Sequence, residues 1–362
     1  MPRQLPPDIL HLVAYLASQE PPIPQKEIAT QLMISPATVH RLIKEAHDNG
    51  ILKATPTLQL PPERIAEISL RLTSHGELLK DLSSLSRQVV TSLEVVKPTP
   101  GQTLREAVAA VAARRIIMDM LPRSSTVAIT WGAILRELVR QIEVLRIGHQ
   151  PLASRSVDFV QVCGDPSGAI ADPTLRSSTL VSKLSAAINH SDTSPYTFSV
   201  PAAIPARFKG SELNVIRDFI YENGGYAKIF QRDSTLLVSV DHLITSCGNG
   251  RAGQDRWLSE CAGSAGIHDS ELEELTVGNV GGFWLARPNL IKAQRERLDA
   301  VNARWTGIRL GDIRSIAIRR GVVLLAIEEH QAEIVLRLVE ERLVSRLFLS
   351  NRLAERLSEI RR

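Results

Sequence analysis

Beyond residue 90, the sequence alternates short apolar runs, each ending in glycine or a small polar residue, with longer helix-type segments. The apolar runs are TVAITWG at 126–132, VDFVQVCG at 157–164, HLITSCG at 242–248 and VSRLFLS at 344–350. Helix-type spacing covers 104–120, 133–142, 174–188, 213–221 and 332–343. Strands that alternate with helices need crossover connections, which cover both faces of a parallel sheet. The pattern predicts a large, Rossmann-like α/β domain with a mostly parallel sheet over 91–362.

The first 56 residues have a different, purely helical pattern between proline clusters. Prolines at 6, 7, 21, 22, 24 and 56 are poor helix interiors and divide this stretch. Apolar residues between them recur at helical spacing: Ile9, Leu12, Val13 and Leu16; Ile28, Ala29 and Leu32; Val39, Leu42, Ile43 and Ala46. The pattern predicts three short amphipathic helices in a small all-α domain over 1–56.

Residues 57–90 are predicted to form a linker helix. An approximate heptad seam runs through it at Ile65, Ile68, Leu72, Leu79 and Leu82. Such a seam is compatible with dimerisation, but short heptad runs are also common in helices that pack on a neighbouring domain. Both interpretations remain open from the sequence.

Composition and charge exclude several classes of protein. The longest apolar runs are far shorter than the roughly 18 residues that cross a bilayer, so we expect no membrane partner and a cytoplasmic protein. Cys163, Cys247 and Cys261 form no CxxC pair, so the sequence predicts no disulfide framework, metal site or cofactor. The net charge of +4 permits a nucleic-acid partner without requiring one.

The second and third helices have the spacing of a helix-turn-helix motif. Ala29 leaves room for a close helix approach, and Ser35 followed by Pro36 is typical of a helix N-cap and first turn. With Val39 and Leu42 facing inward, the helical period turns the intervening residues outward, as in a recognition helix in the major groove. The predicted DNA-contact residues are Ser35, Pro36, Ala37, Thr38, His40, Arg41 and Lys44.

The charge of this domain favours binding by more than one copy. Residues 1–56 contain five basic and five acidic residues, so their net charge is zero. Because phosphate contacts dominate affinity, we expect specific binding to double-stranded operator DNA to need a homodimer or tetramer on spaced half-sites. The alternative is a trihelical unit that packs on the rest of the chain.

The segment IATQLMISPATVHRLIKEAHDNGIL at 28–52 resembles the N-terminal helix-turn-helix of the SorC family of bacterial sugar-responsive transcriptional regulators. Other segments stand in the family's order: TVAITWG, VDFVQVCGD, SVPAAIPARF, DHLITSCGNG, TVGNVGGFWL and SRLFLSNRLAERL. The resemblance implies that the large domain is similar to phosphosugar isomerases and deaminases and binds a small-molecule effector without catalysis. It also implies a bacterial, nucleoid-associated protein.

Ligands of open α/β sheets bind beyond the carboxyl ends of the strands, where backbone N–H groups of glycine loops can hold an anion. Here these ends supply the predicted effector-binding residues Thr130, Trp131, Gly132, Gly164, Asp165, Gly248, Asn249, Gly250, Gly281 and Gln331.

Four positions depart from the family's phosphate-binding pattern. Ala133 and Ile134 follow Gly132 where a hydroxyl residue is usual, and GNVGG at 278–282 lacks the usual carboxylate. Gln331 stands where the family has lysine, and Ser350-Asn351 replaces a Thr-Asp pair. Because Ala133, Ile134 and Gln331 replace hydroxyl and ammonium donors that a phosphate prefers, either the ligand carries less charge than a sugar phosphate or the pocket is vestigial.

Two other function classes remain as alternatives. The first is an isomerase-like, deaminase-like or acyl-transfer enzyme, whose acid and base groups would come from Asp165, Asp241, Glu328, Glu329 and His330. The second is an interaction protein with an arginine-rich C-terminal end, although interleaved glutamates favour a salt-bridged helix face there. The sequence favours a DNA-binding transcriptional regulator that is not an enzyme and whose operator affinity a small metabolite controls.

Overall fold

The computed structural model describes residues 8–18, 23–32, 34–52, 75–99, 101–146, 156–165, 172–189, 194–231, 235–248 and 262–361. The chain divides into two compact units, residues 1–77 and 78–362. Each unit has its own apolar core, and the two are described separately.

The first unit contains three helices, as the apolar periodicity predicts. They are α1 (Ile9–Ala17), α2 (Gln25–Gln31) and α3 (Pro36–Asp48). Their inward faces form one core, with these residues buried: Ile9, Val13, Leu16, Ile28, Ala29, Val39 and Leu42. Burying the apolar stripe of each short helix is what stabilises it, because helices of this length are marginal alone.

The second unit contains all of the described strands. They are β1 (Ser92–Val96), β2 (Thr126–Ile129), β3 (Asp158–Gln161), β4 (His242–Gly248), β5 (Thr276–Val280), β6 (Phe283–Ala286), β7 (Val322–Ala326) and β8 (Arg346–Ser350). Its helices are α4 (75–85, shared with the end of the first unit), α5 (Leu104–Arg115), α6 (Ala133–Arg146), α7 (Ser177–Ile188), α8 (Gly210–Glu222), α9 (Gly224–Phe230), α10 (Thr235–Ser239), α11 (262–264), α12 (Asp269–Leu275), α13 (Lys292–Asn302), α14 (Leu310–Arg319), α15 (Ala332–Glu340) and α16 (Asn351–Arg361).

Six of these strands form a parallel sheet in the order β1-β8-β7-β4-β2-β3. Successive residues of a strand face opposite sides, so Val127 and Ile129 enter one core and Ala128 enters the other. Helices α5, α6 and α7 cover the first face, and α14, α15 and α16 contribute to the second. The predicted fold class, a helical domain followed by an α/β domain with a mostly parallel sheet, is confirmed.

A hairpin that the sequence analysis did not predict extends from β4. Strand β5 pairs antiparallel with the end of β4, where Cys247 lies opposite Val280, and β6 pairs with β5. The outer strand is capped by Asn302, whose side-chain amide accepts from the backbone N–H of Trp284 and donates to its carbonyl, both at 2.9 Å. This side chain takes the place of a further strand on the β6 backbone.

The described part of the predicted linker helix packs on the second unit. Leu78 and Leu82 of α4 are buried in the core of that unit, and Leu79 lies against the same core. Its other predicted seam residues, Ile65, Ile68 and Leu72, lie outside the described residues. The structure therefore favours the packing interpretation for the end of this segment. Within the described ranges, every helix is too short or too polar to span a bilayer.

Candidate functional sites

Helix α3 of the first unit has one buried and one exposed face. Val39, Leu42 and Ala46 are buried. Ala37, His40, Arg41 and Lys44 are exposed, and Thr38 is half-buried. Arg41 forms an ion pair with Glu45 at 3.5 Å, and 62% of its side chain is exposed. Since exposed pairs of this kind contribute well under 1 kcal/mol, the guanidinium can exchange Glu45 for a phosphate or a guanine edge at little cost.

Ser35 and Pro36 fix where α3 begins. Ser35 is in an extended conformation, and its Oγ accepts the backbone N–H of Thr38 at 3.0 Å. The same Oγ lies 2.8 Å from Thr38 Oγ1. Pro36 occupies the first turn, where no intrahelical N–H bond is lost. The predicted N-cap is confirmed, and contact of these residues with DNA stays a prediction.

In the second unit, the sheet has a topological switch point between β2 and β4. The chain leaves β2 for β3 on one side, whereas β4 is followed by β7 on the other. Crevices at such points are where open α/β sheets bind ligands. Here two buried hydroxyl groups meet, with Thr130 Oγ1 lying 3.0 Å from Thr245 Oγ1. Beside them Gly132, at φ 125°, immediately precedes α6, and Ser246 Oγ donates to the carbonyl of Trp131 at 3.2 Å.

Side chains of the protein itself occupy the space next to this point. The rings of Trp131 and Trp305 meet edge to face with centroids 5.6 Å apart, and both residues are buried. The carbonyl of Gly281 accepts from Trp305 Nε1 at 3.1 Å and from Cys163 Sγ at 3.2 Å. We call these six residues the switch-point cluster: Thr130, Trp131, Cys163, Thr245, Gly281 and Trp305. Burial raises the pKa of the Cys163 thiol, with the charge of Asp165 as a smaller cause, so this cysteine is a neutral packing residue.

Gly164 and Asp165 follow the end of β3, and both contact other residues of the second unit. A Cβ on Gly164 would overlap Thr306 and the backbone of Pro201, so only glycine fits there. Asp165 accepts hydrogen bonds from the Oγ and the backbone N–H of Ser178. Burial raises the pKa of Asp165 despite these bonds, which favour the charged form.

The amide oxygen and the amide nitrogen of Gln331 both bond to backbone groups of the protein. Its Oε1 accepts from the backbone N–H groups of Ile327 and Glu328 at 2.9 Å each, and its Nε2 donates to the carbonyl of Cys247 at 2.6 Å. It therefore ties the end of β7 to the end of β4. Gly248 pairs with Asn279 of β5, whereas the predicted residues Asn249 and Gly250 lie outside the described residues.

The predicted effector residues that the structure describes thus lie at one edge of the sheet, but most of their polar groups bond to other residues of the protein, such as Thr245, Ser178 and Cys247. Thr130 and Gly281 are adjacent, since a Cβ on Gly281 would lie 3.4 Å from Thr130 Cγ2. Ser350, at one of the departing positions, donates to the carbonyl of Ile327 at 2.6 Å and accepts the backbone N–H of Leu353. Effector binding at these residues stays a prediction.

Trp305 also lines a cavity that the sequence analysis missed. The cavity measures about 370 Å³. Its described lining residues are Ile204, Arg217, Ile220, Tyr221, Tyr226, Ala303, Trp305, Thr306 and Arg309. A second cavity of about 220 Å³ shares Tyr221, Tyr226 and Arg309 with it. No motif could have indicated these residues, because they come from the segment that contains Ile204, from α8 and α9, and from the loop 303–309, which only the tertiary fold brings together.

The candidate catalytic residues do not form one site. Asp241 precedes β4 at the amino-terminal edge of the sheet, where it accepts from the backbone N–H of Ser125 at 2.7 Å and pairs with Arg320 at 3.1 Å. Glu328 and His330 follow β7 at the opposite edge. The described residues also contain no group of three His, Cys, Asp or Glu side chains that could hold a metal ion.

The fold and the first unit together define a class of protein, a helical unit with a helix-turn-helix joined to an α/β unit with a mostly parallel sheet. Residues 13–53 match the winged helix-turn-helix DNA-binding family. The wing was not part of the sequence prediction. A sequence comparison with curated proteins finds no match.

Solved structures extend the likeness to nearly the whole chain. The full-length sorbitol operon regulator SorC from Klebsiella pneumoniae is 18% identical, covering 97% of this chain and 99% of its own with a TM-score of 0.58. A transcriptional regulator from Streptococcus pneumoniae TIGR4 is 15% identical over 80% of this chain and 98% of its own, with a TM-score of 0.59. A DeoR family transcriptional regulator from Listeria monocytogenes is 16% identical. The match covers 78% of this chain and 99% of that regulator, with a TM-score of 0.53. The predicted resemblance to SorC is confirmed at the level of the fold.

Proposed function

We propose that this chain is a DNA-binding transcriptional regulator whose operator affinity is controlled by a small metabolite bound in the α/β unit. The observation that carries the proposal is the exposed face of α3 with His40, Arg41 and Lys44, opposite a buried face that fixes its orientation. A helix that presents such side chains from a rigid trihelical unit can enter the major groove. The match of residues 13–53 to winged DNA-binding domains supports the same conclusion.

We further infer that the regulator acts as a homodimer or tetramer in the bacterial cytoplasm. The zero net charge of residues 1–56 supports this, because one copy would have little attraction for DNA phosphates. The assignment of 1–56 to DNA binding, 57–90 to a linker and 91–362 to effector binding and oligomerisation is part of the proposal. Ligand binding would shift the equilibrium between two arrangements of the paired heads, which changes operator affinity.

The effector is proposed to be a sugar phosphate or a less charged metabolite. The printed name of the Klebsiella relative, a sorbitol operon regulator, supports a carbohydrate-related signal. The switch point between β2 and β4 supports binding in the α/β unit. An enzyme on the same fold is less well supported, because Asp241 precedes β4 whereas Glu328 and His330 follow β7. These groups therefore lie at opposite edges of the parallel sheet.

The proposal is tested with the full chain and a pool of random duplex DNA. Repeated selection of bound duplexes should enrich one sequence, and a regulator that binds as a symmetric oligomer should enrich inverted half-sites one helical turn, or a multiple of it, apart. The selected duplex is then titrated with the protein at several salt concentrations. Recovery of unenriched DNA, or the same affinity for selected and random duplexes, would contradict sequence-specific binding.

A further inference from the structure

The cavity beside Trp305 differs from the switch-point cluster in charge. Two guanidinium groups line it, Arg217 from α8 and Arg309 from the loop before α14. No carboxylate is among its described lining residues, and Asp312 is the acidic residue that lines the neighbouring cavity. Asp312 accepts the backbone N–H of Arg309 at 3.1 Å.

The local electrostatics are positive. Arg304, whose side chain donates to the carbonyls of Pro205 and Phe208, has a lowered pKa because of burial and then the nearby charge of Arg217. Arg304, Arg217 and Arg309 therefore concentrate positive charge in one region. A site of this kind favours an anion.

Both lining arginines retain hydrogen-bonding capacity. Within the described chain Arg217 donates to the carbonyl of Ala303 at 3.1 Å, and Arg309 donates to the carbonyl of Asn302 at 2.8 Å. A guanidinium has five N–H donors in a planar fork. These single bonds orient each fork and leave further N–H groups for the oxygens of a carboxylate or phosphate, the planar partners that arginine prefers.

The rest of the wall suits the body of an organic ligand. Ile204 and Ile220 are buried apolar residues, and Tyr226 is held rigidly against Tyr221 and Phe230, with ring centroids 5.5 and 4.6 Å apart. The volume of about 370 Å³ lies within the range of small-molecule sites. An apolar, aromatic wall with a few convergent polar groups is the usual composition of such sites.

We propose that this cavity binds an organic oxyanion, with its carboxylate or phosphate on Arg217 and Arg309 and a compact body against the two tyrosines. The inference rests on the proposed function in one respect, since it locates the effector of that regulator. Trp305 lines the cavity and also contacts Trp131 of the switch-point cluster. A ligand in the cavity would thus meet the same ring that packs over the carboxyl ends of the strands.

The test is calorimetric titration of the full chain with inorganic phosphate, benzoate and glucose 6-phosphate. We expect benzoate or glucose 6-phosphate to bind saturably at concentrations below about 10 mM and at least tenfold more tightly than inorganic phosphate, because each buries an apolar or ring-shaped body. The benzoate and glucose 6-phosphate arms distinguish a carboxylate from a phosphate ligand. Absence of saturable binding for both organic anions would overturn the proposal.

Variants locate the bound anion. Arg217→Gln should weaken binding about tenfold or more through loss of a charge-assisted bond, and Ala303→Phe should abolish it by filling the space. The matched control is Arg207→Gln, because exposed Arg207 lies 4.9 Å over the Phe208 ring and does not line the cavity. The Arg207→Gln variant should bind the anion as tightly as the parent does. Ala133→Asp places a negative charge at the switch point, so binding lost in Ala133→Asp and retained in Arg217→Gln would overturn the proposal in favour of the strand ends.

The selected operator separates this proposal from the proposed function. If the anion binds the cavity and shifts operator affinity, both are supported. If the operator is bound but no anion is, the cavity proposal fails and the DNA-binding function stands. If the anion binds as expected but the full chain selects no DNA sequence, the ligand site stands and the regulator fails.

Discussion

The backbone of Gly282 lies directly against the indole of Trp305. At φ 90° the glycine is in a conformation that other residues rarely adopt, and a Cβ there would overlap the ring. The indole Nε1 donates to the carbonyl of the preceding Gly281 at 3.1 Å, so this ring closes the β5–β6 turn over the switch point. In the sequence, Gly282 stands out only because the GNVGG segment lacks the family's carboxylate. In the structure, packing against Trp305 requires a glycine at this position.

Gly282→Ala should strongly destabilise the second unit. The overlap with the buried Trp305 and the left-handed backbone act together, and we expect a loss of about 3 kcal/mol or more in unfolding free energy. The matched control is Gly311→Ala in α14, where a Cβ would meet nothing within 4 Å. That change should leave stability unchanged or raise it by up to about 1 kcal/mol. Equal urea unfolding midpoints for the two variants would contradict the packing argument.

The stability of the second unit should fall below neutral pH because of His242. Burial, and then the charge of Arg346, lowers the pKa of this histidine to about 4, while Asp241 acts in the opposite direction and Arg320 adds to the lowering. In the unfolded chain the pKa is near 6.5, so the unfolded state binds more protons between these values. This contribution to stability is complete above pH 6.5 and is lost as the pH falls towards 4.

Urea unfolding at pH 7.5 and pH 5 measures this effect. Between pH 7.5 and pH 5, the free energy of unfolding should fall by about 2 kcal/mol more in the parent than in His242→Gln. This value follows because a difference of one pKa unit between the folded and unfolded states corresponds to about 1.4 kcal/mol. His268→Gln, at an exposed histidine, is the control and should keep the pH dependence of the parent. Parallel pH profiles for the parent and His242→Gln would show that this histidine does not titrate as proposed.

Local patterns were predicted from the sequence because their physics is local. The Ser35–Pro36 start of α3 depends on residues three positions apart, and the alternation of strands and helices determines the parallel sheet. The β5–β6 hairpin was missed although Gly281-Gly282 is a typical two-residue hairpin turn, because Gly278 and Asn279 weaken the strand pattern of β5.

The chemistry of the sensor unit was less predictable. Gln331 was expected to face a ligand, yet its amide joins the ends of β7 and β4, since the carbonyl of Cys247 needs a donor there. The helices α9 to α13 and the strands β4 to β6 separate Arg217 from Arg309 in the sequence, and nothing in either local pattern indicates that the two line one cavity. Contacts of this kind follow from the tertiary fold alone.

Ser35→Ala should loosen the start of the recognition helix. It removes the oxygen that accepts the Thr38 N–H, and such losses cost about 1 kcal/mol. Ser35→Asp keeps an acceptor and should retain most of the stability. Hydrogen exchange of the backbone amides at the start of α3 measures the difference. Protection that is the same in the alanine and aspartate variants would mean that the cap contributes nothing.

Arg41→Ala should abolish sequence-specific binding while leaving the trihelical core intact. Arg41 is exposed and points away from buried Val39 and Leu42, so the substitution removes no core contact. A base-edge contact contributes about 1 to 3 kcal/mol per copy, and a symmetric dimer loses it twice, so affinity for the selected duplex should fall at least tenfold. Affinity for random duplex should change much less. Arg105→Ala, an exposed arginine of α5 in the second unit, is the control in the same gel-shift titration. Operator affinity that is equal in Arg41→Ala and the parent would refute the assignment of α3 as the recognition helix.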